Sequence, residues 1–121
     1  MWASRAGEVY ALKADFFRVL GHPVRVRILQ LLRDGELSVG ALQDELELDS
    51  SGTSQHLGAL RAQGLVASRK EGTSVYYRVK DARTLELLEL AKAIISSSLE
   101  ENRVLLDDLA EEDFGPRRDR G

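Results

Sequence analysis

Residues 49–66 read DSSGTSQHLGALRAQGLV and contain the signals of a complete short helix. Asp49 can cap its N-terminus, because an aspartate oxygen accepts hydrogen bonds from the free amides of the first turn. Gly64 stands where a left-handed residue ends a helix, and Leu57 and Leu60 supply an apolar side. The other N-terminal residues are short and polar. This pattern is typical of a helix that enters a DNA major groove by its N-terminal end, although an ordinary amphipathic surface helix looks the same in isolation.

A β-hairpin is predicted directly after this helix. Residues 65–70, LVASRK, and residues 74–79, SVYYRV, are rich in β-forming side chains, and the second run alternates apolar and polar positions. Gly72 between the two runs predicts a tight turn. A basic hairpin behind a DNA-reading helix is a wing that neutralises phosphates, whereas a plain surface hairpin is the alternative interpretation.

Two helices are predicted at the beginning of the chain. Apolar residues recur at helical spacing over residues 8–20, and Pro23 suits the first position of a second helix that ends before Gly35. His22 precedes that proline and is predicted to be a structural residue beside the helix cap rather than a ligand.

A third helix over residues 38–47 is predicted from a capping serine and an apolar stripe. A tight turn joins it to the helix over residues 50–63. Two short helices in this arrangement form a helix-turn-helix unit.

The last predicted helix is long, starting at Asp81 and continuing at near-heptad spacing to about residue 109. Its length, roughly 40 Å at 1.5 Å per residue, exceeds what so small a domain can cover. The uncovered stripe and the first helix therefore predict a homodimer interface. The predicted interface residues are Leu12, Phe16, Leu88, Ile95, Leu99 and Leu106.

The composition predicts one ordered domain. The chain has 121 residues, of which 43% are hydrophobic and 31% charged, a balance that argues against disorder. A membrane span and a secretory signal are not expected, since the sequence has no sufficiently long apolar run and no basic-then-apolar start, so a cytoplasmic location is predicted. The absence of cysteine excludes disulfides and thiolate metal sites.

Charge is segregated along the chain despite a net charge of only -3. Residues 49–83 contain six basic and three acidic side chains, a net charge of +3, whereas residues 84–112 contain two basic and eight acidic side chains, a net charge of -6. A basic middle followed by an acidic last helix predicts two faces with different partners.

The predicted fold is mainly α with a small β-hairpin: a winged helix-turn-helix with four helices, a two-stranded wing and a fifth, long helix. The domain is expected to cover residues 8–112. A flexible N-terminal arm over residues 1–7 and a flexible tail over residues 113–121 complete the predicted organisation.

Two stretches resemble the ArsR/SmtB family of dimeric bacterial winged-helix regulators. They are FFRVLGHPVRVRILQLL at residues 16–32 and GELSVGALQDELELDSSGTSQHLGALRAQGLVASRKEGTSVYYRV at residues 35–79. The resemblance implies a homodimer that binds an inverted-repeat operator on double-stranded DNA. It also implies repression that is relieved when an effector binds.

Candidate DNA contacts come from the predicted recognition helix and wing. Gln55 can pair with adenine, and Arg69 and Lys70 can contact the backbone or the minor groove. The full predicted set is Ser50, Ser51, Thr53, Ser54, Gln55, His56, Arg61, Arg69, Lys70 and Thr73. Gly52 and Gly58 within the same helix each cost about 1 kcal/mol relative to alanine. Close approach, of Gly52 to DNA and of Gly58 to a neighbouring helix, is one predicted reason, and tolerated slack is the other.

The sequence departs from the family at its metal sites. One subgroup carries cysteines in an ELCVC pattern, where this chain has ELSVG with Ser38 and Gly40. Another subgroup uses histidines on the last helix, and this chain has histidine only at positions 22 and 56. We therefore predict no metal and no cofactor. A small molecule held between the first and last helices, a partner protein or a metal held by oxygen ligands stays open as an effector, and so does the absence of any effector.

No enzymatic activity and no catalytic residues are predicted. The sequence has no cysteine nucleophile, no phosphate-binding glycine loop and no histidine–carboxylate pair at a recognisable spacing. An activator, or a winged helix used only for protein contacts, remains an alternative to a repressor.

Overall fold

The computed structural model describes residues 4–99 and 102–115. Within these ranges the chain forms six α-helices, one turn of 3-10 helix and three short strands. The elements are α1 (Ser4–Leu20), α2 (Pro23–Leu31), the 3-10 turn (Leu32–Asp34), β1 (Leu37–Ser38), α3 (Val39–Leu46), α4 (Ser50–Ala62), β2 (Val66–Glu71), β3 (Ser74–Val79), α5 (Arg83–Ser98) and α6 (Arg103–Glu111). The predicted winged helix-turn-helix is confirmed.

The helix-turn-helix unit consists of α3 and α4, and each helix begins at a side-chain cap. Ser38 Oγ accepts from the Ala41 amide at 3.1 Å, and Asp49 Oδ1 accepts from the Gly52 amide at 2.6 Å. Between the helices Glu47 has a φ of 54°, a left-handed conformation that few non-glycine residues adopt. These local signals fix where α4 starts and in which direction it leaves α3.

The wing is the antiparallel hairpin of β2 and β3, and a third strand extends its sheet. The strand order is β1-β3-β2, with Leu37 opposite Tyr77. Gly72 has a φ of 62° in the two-residue loop, which fits a hairpin turn that needs glycine at its first central position. The sequence did not predict β1, because two residues are too few to show a strand period.

The core joins α4, the helix that is predicted to be the recognition helix, to the rest of the domain. Ile28 and Leu29 of α2, Leu42 of α3, and Leu57 and Leu60 of α4 are fully buried. Truncating one such leucine to alanine costs roughly 2–5 kcal/mol in other proteins. This cluster therefore holds α4 rigidly against α2 and α3.

The predicted single last helix is wrong, because the chain forms α5 and α6 instead. Helix α5 ends at Ser98, and Asn102 begins α6 by accepting from the Leu105 amide at 3.2 Å. Before the break, the hydroxyl of Ser96 donates to the Lys92 carbonyl at 2.8 Å. Serine and asparagine compete for backbone groups in this way and favour helix ends, although the apolar spacing continues across the break.

Helix α6 folds back along α5. Lys92 Nζ donates to the carbonyls of Ala110, at 3.4 Å, and of Glu112. The Phe114 amide donates to Glu89 Oε2 at 3.3 Å, and Phe114 as a residue is only 8% exposed. The domain therefore extends past residue 112, because burial of this residue holds the chain there.

The predicted terminal boundaries need two corrections. Helix α1 begins at Ser4, inside the predicted N-terminal arm, and residues 113–115 of the predicted tail pack on the domain. The rest of both predicted segments, residues 1–3 and 116–121, lies outside the described residues. In the part of the chain that the structure describes, no helix has the length and apolar content needed to cross a bilayer.

Candidate nucleic-acid interface

The N-terminal half of α4 presents a row of short polar side chains to solvent. Ser50, Ser51, Ser54 and Gln55 are all exposed. The Asp49 cap is the only carboxylate beside them on this helix. The hydroxyl and amide groups can donate and accept hydrogen bonds, which is what base edges and phosphates require.

Thr53 was predicted to contact DNA, and the structure contradicts this. Its side chain is fully buried, and its hydroxyl donates to the Asp49 carbonyl at 2.9 Å. The physical reason is its place on the helix: Leu57 lies four positions later and Leu60 seven, so all three share the core face. The same spacing was visible in the sequence.

His56 is half-buried against the turn between α1 and α2. Its ring lies 4.4 Å from the His22 ring, centroid to centroid, and its Nδ1 accepts from Arg25 Nε at 3.2 Å. Burial, followed by the nearby His22 and Arg25, lowers the pKa of His56. His56 therefore anchors the recognition helix to the domain, and only the rest of its ring is left for DNA.

His22 has the structural role that the sequence predicted. Its Nδ1 accepts from the Val24 amide at 3.1 Å and caps α2. Arg25, by contrast, was not singled out by the sequence, because its partner His56 lies 31 positions away.

The wing arginine is already paired within the chain. Arg69 donates to the carboxylates of Glu36 and, at 2.7 Å, of Glu71, and its guanidinium lies 4.6 Å from the centre of the Tyr76 ring. The hydrogen bond from Arg69 lowers the pKa of Glu36. Because such exposed ion pairs contribute little, a phosphate can compete for Arg69, but it must displace two carboxylates.

The other basic and polar candidates are exposed. Lys70 and Thr73 lie in solvent near the tip of the wing. Arg61 Nη1 donates to Ser68 Oγ at 3.2 Å and thereby links α4 to the wing. The structure thus brings the helix candidates and the wing candidates together through one hydrogen bond between neighbouring elements.

The two glycines of α4 differ in their surroundings. A Cβ added to Gly52 would lie 3.0 Å from Asp49 Oδ1, so the tight approach is to the helix's own cap. Apart from its chain neighbours and the backbone of its own helix, a Cβ added to Gly58 would meet no atom of the described residues within 4 Å. Within this chain, the predicted approach of Gly58 to a neighbouring helix is therefore wrong.

Among the predicted interface residues, Leu12 is 70% exposed and Ile95 is 47% exposed, whereas Phe16, Leu99 and Leu106 are partly covered. Leu88 is only 8% exposed because the chain itself covers it. Leu88 is therefore a core residue of its own chain and not the exposed dimer contact that the sequence predicted. Further exposed apolar residues on α1 and α5, which the prediction omitted, are Val9, Tyr10, Phe17, Leu90 and Ile94.

Comparison with known proteins agrees with this geometry. A helix-turn-helix domain family matches residues 20–69. The HTH-type transcriptional regulator Rv0081 of Mycobacterium tuberculosis is 41% identical over 102 residues, which cover 84% of this chain and 90% of that protein. This chain belongs to the ArsR-type winged helix-turn-helix transcriptional regulators. It is therefore a regulator rather than an enzyme.

Solved structures of similar regulators have the same fold. The crystal structure of Mycobacterium tuberculosis Rv0081 has a TM-score of 0.72 and 42% identity, and the match covers 79% of this chain and 96% of that one. The solution structure of Mb0332 from Mycobacterium bovis has a TM-score of 0.71 and 30% identity, and the match covers 84% of this chain and 94% of that one. That protein is described as a homodimeric winged helix-turn-helix DNA-binding domain and a possible ArsR-family regulator.

Other relatives of this regulator have opposite outputs. The transcriptional activator HlyU of Vibrio cholerae is 42% identical over 73 residues, covering 60% of this chain and 68% of that protein. The biofilm growth-associated repressor of Xylella fastidiosa is 36% identical over 84 residues, covering 69% of this chain and 70% of that protein. Family membership therefore does not fix the sign of regulation.

Proposed function

We propose that this regulator is a homodimer whose two α4 helices bind the half-sites of an inverted-repeat operator. One observation carries the proposal: α4 exposes the polar side chains of Ser50, Ser51, Ser54 and Gln55 near its N-terminus. The opposite face of α4 is buried in the core through Leu57 and Leu60. A rigid helix with a polar N-terminal end is the element that related motifs insert into the major groove.

Each exposed side chain has a proposed partner on the DNA. Gln55 pairs with an adenine edge, since its amide can donate and accept at once. Ser50, Ser51 and Ser54 bind base edges or phosphates near the helix N-terminus, where the helix dipole favours an anion. Arg61, Arg69, Lys70 and Thr73 contact the backbone, Arg69 after it leaves Glu36 and Glu71. His56 contributes through its remaining ring atoms, and Thr53 is excluded by its burial.

Dimerisation is supported by the uncovered apolar surface of α1 and α5. Leu12, Phe17, Leu90 and Ile94 are each more than half exposed. A patch of this kind is costly in water and typically marks a protein interface. A two-fold symmetric dimer would place two copies of α4 on one side of the DNA, which explains why an inverted repeat is the expected operator.

Repression is the proposed output, and the cytoplasm, where the operator lies, is the proposed location. A bound dimer represses where its operator overlaps the promoter, whereas an upstream operator would produce activation.

The test is a mobility-shift titration of the DNA upstream of the regulator's own gene. We expect Gln55→Ala to weaken binding about tenfold or more, because a good bidentate base contact contributes about 1–3 kcal/mol. Gln63→Ala, one residue past the C-terminal end of α4, is the matched control and should bind as the wild type does. Two results would overturn the proposal. One is that the two variants bind the upstream DNA with equal affinity, and the other is that the wild type binds this DNA no more tightly than an unrelated duplex.

A further inference from the structure

A cavity of about 440 Å³ lies between the end of α1, the start of α2, the middle of α5 and the segment around the end of α6. Its walls are mostly apolar and include Leu20, Val26, Leu88, Ile95 and Phe114. The volume falls within the roughly 300–1,000 Å³ typical of small-molecule sites. The lining comes from helices outside α4 and the wing, so DNA binding does not explain the cavity. Phe17 and Ile95 of the lining also belong to the apolar surface of α1 and α5 that is proposed for the dimer, so the cavity borders that interface.

One edge of the cavity is a short chain of polar groups. Arg27 Nη1 donates to Gln30 Oε1 at 2.5 Å, and Gln30 Nε2 donates to Glu112 Oε2 at 2.5 Å. Gln30 is only 6% exposed. Arg27 on one side and the Glu112 carboxylate on the other fix the orientation of its side-chain amide. A few fixed polar groups beside an apolar volume are what orients a ligand in a binding site.

The cations at this edge differ in how fully they are paired. Lys92 Nζ binds the carbonyls of Ala110 and Glu112 and lies 3.7 Å from the Glu89 carboxylate. Arg27 has no carboxylate within 4.0 Å among residues 4–99 and 102–115. The guanidinium of Arg27 is thus available to an additional anion.

We propose that the cavity binds an amphipathic monoanion, a small molecule with an apolar body and one carboxylate. The body would pack against Leu88 and Phe114, and the carboxylate would pair with Arg27, whose planar guanidinium matches a carboxylate in two parallel hydrogen bonds. A neutral analogue loses this pair, and a cationic analogue places its charge against Arg27.

The proposed site lies next to the contact that holds the recognition helix. Gly21 and Pro23 line the cavity, and His22 between them packs on His56 of α4. A ligand that moves the turn between α1 and α2 would therefore also move His22 and change its contact with His56 of α4. This ligand would be the effector of the proposed regulator, so the inference rests on the proposed function. Ligand binding is measured without DNA, so a failure to bind the ligand can be distinguished from a failure to bind the operator.

The test is calorimetric titration of the full chain with decanoate, decanol and decyltrimethylammonium. We expect one decanoate per chain, decanol binding about tenfold more weakly, and no binding of the ammonium. Arg27→Gln should lower the affinity for decanoate to that for decanol and leave decanol unchanged. Lys80→Gln removes an exposed cation outside the cavity and is the control that should alter neither affinity.

A second variant tests the cavity itself. Ala91→Trp fills the space with an indole and should abolish binding of decanoate and decanol, with thermal unfolding used to check that the variant folds. If it does not fold, nuclear Overhauser contacts between ligand methylenes and the methyls of Leu88 and Ile95 in the wild type decide the point, and their absence overturns the site.

Three other results would overturn the proposal. They are no decanoate binding at millimolar concentration, unchanged decanoate affinity in Arg27→Gln or in folded Ala91→Trp, and binding only to dissociated chains in sedimentation experiments. The last result would show that a second copy of the chain covers the cavity.

Discussion

His56 connects the recognition helix to the rest of the domain at the scale of one side chain. Its Nδ1 must be unprotonated to accept from Arg25, and a proton on the ring would add charge beside His22 and Arg25. Burial is the first cause of its lowered pKa, and the two neighbouring groups follow. The fold thus favours neutral His56.

This predicts an acid-sensitive contribution to stability. Because the pKa of His56 is lower in the folded chain, the unfolded chain binds the proton first as pH falls below about 6.5. The contribution is fully present above that pH and decreases as pH falls towards the folded pKa. Urea unfolding at pH 7.5 and 5.5 should show a smaller loss for His56→Gln than for the wild type.

An equal loss in both proteins would assign the pH effect to other groups. The ion-paired carboxylates Glu36 and Asp81 do not confuse this test, because their pKa values are lowered from already acidic values and they titrate below the chosen pH range.

At the scale of one helix, replacing each of the two glycines of α4 by alanine should change the stability of the protein by different amounts. Gly58→Ala should stabilise the protein by about 0.5–1 kcal/mol, because alanine loses less backbone entropy in a helix and its Cβ would contact no described residue outside the neighbouring backbone of α4. Gly52→Ala is the matched comparison. Its Cβ meets Asp49 Oδ1 at 3.0 Å, so strain at the cap should reduce or cancel the gain.

Chemical denaturation of both variants measures the difference. A Gly58→Ala protein that is no more stable than the wild type would mean that Gly58 is constrained by something other than the described residues of its own chain.

The break between α5 and α6 shows what an apolar period can and cannot predict. The heptad spacing from Leu85 to Leu109 indicates helix throughout, and helix is what both α5 and α6 form. The period does not show that Asn102 caps a new helix, or that this helix turns back so that Phe114 covers the same face.

At the scale of the whole molecule, the exposed apolar residues of α1 predict a dimer that one charge can dissociate. Leu12→Glu should give a monomer, because burying the carboxylate in an apolar interface costs far more than exposing it in the monomer. Val104→Glu makes the same kind of change on α6, at a side chain that is 71% exposed against 70% for Leu12, and should remain a dimer.

Sedimentation velocity distinguishes the two variants. A dimeric Leu12→Glu protein, or a monomeric Val104→Glu protein, would place the interface on a surface other than α1 and α5.

Features that depend on residues close together in the sequence could be predicted, whereas features that depend on distant residues could not. The Asp49 cap, the Gly72 turn and the leucines of α4 are local signals, and the helix-turn-helix and wing were predicted from them. The ion pair of Arg69 with Glu36 joins residues 33 positions apart and has no local signature. Leu88 likewise lies in one buried cluster with Phe114, a residue far along the chain that the apolar spacing of α5 does not point to.

Two α4 helices of one dimer are proposed to read two symmetric half-sites. The measurement is selection by the full chain of bound duplexes from a random-sequence library. We expect enrichment of an inverted repeat whose half-site centres lie about one helical turn, roughly 34 Å, apart. Enrichment of a single asymmetric site, or of no sequence at all, would contradict it.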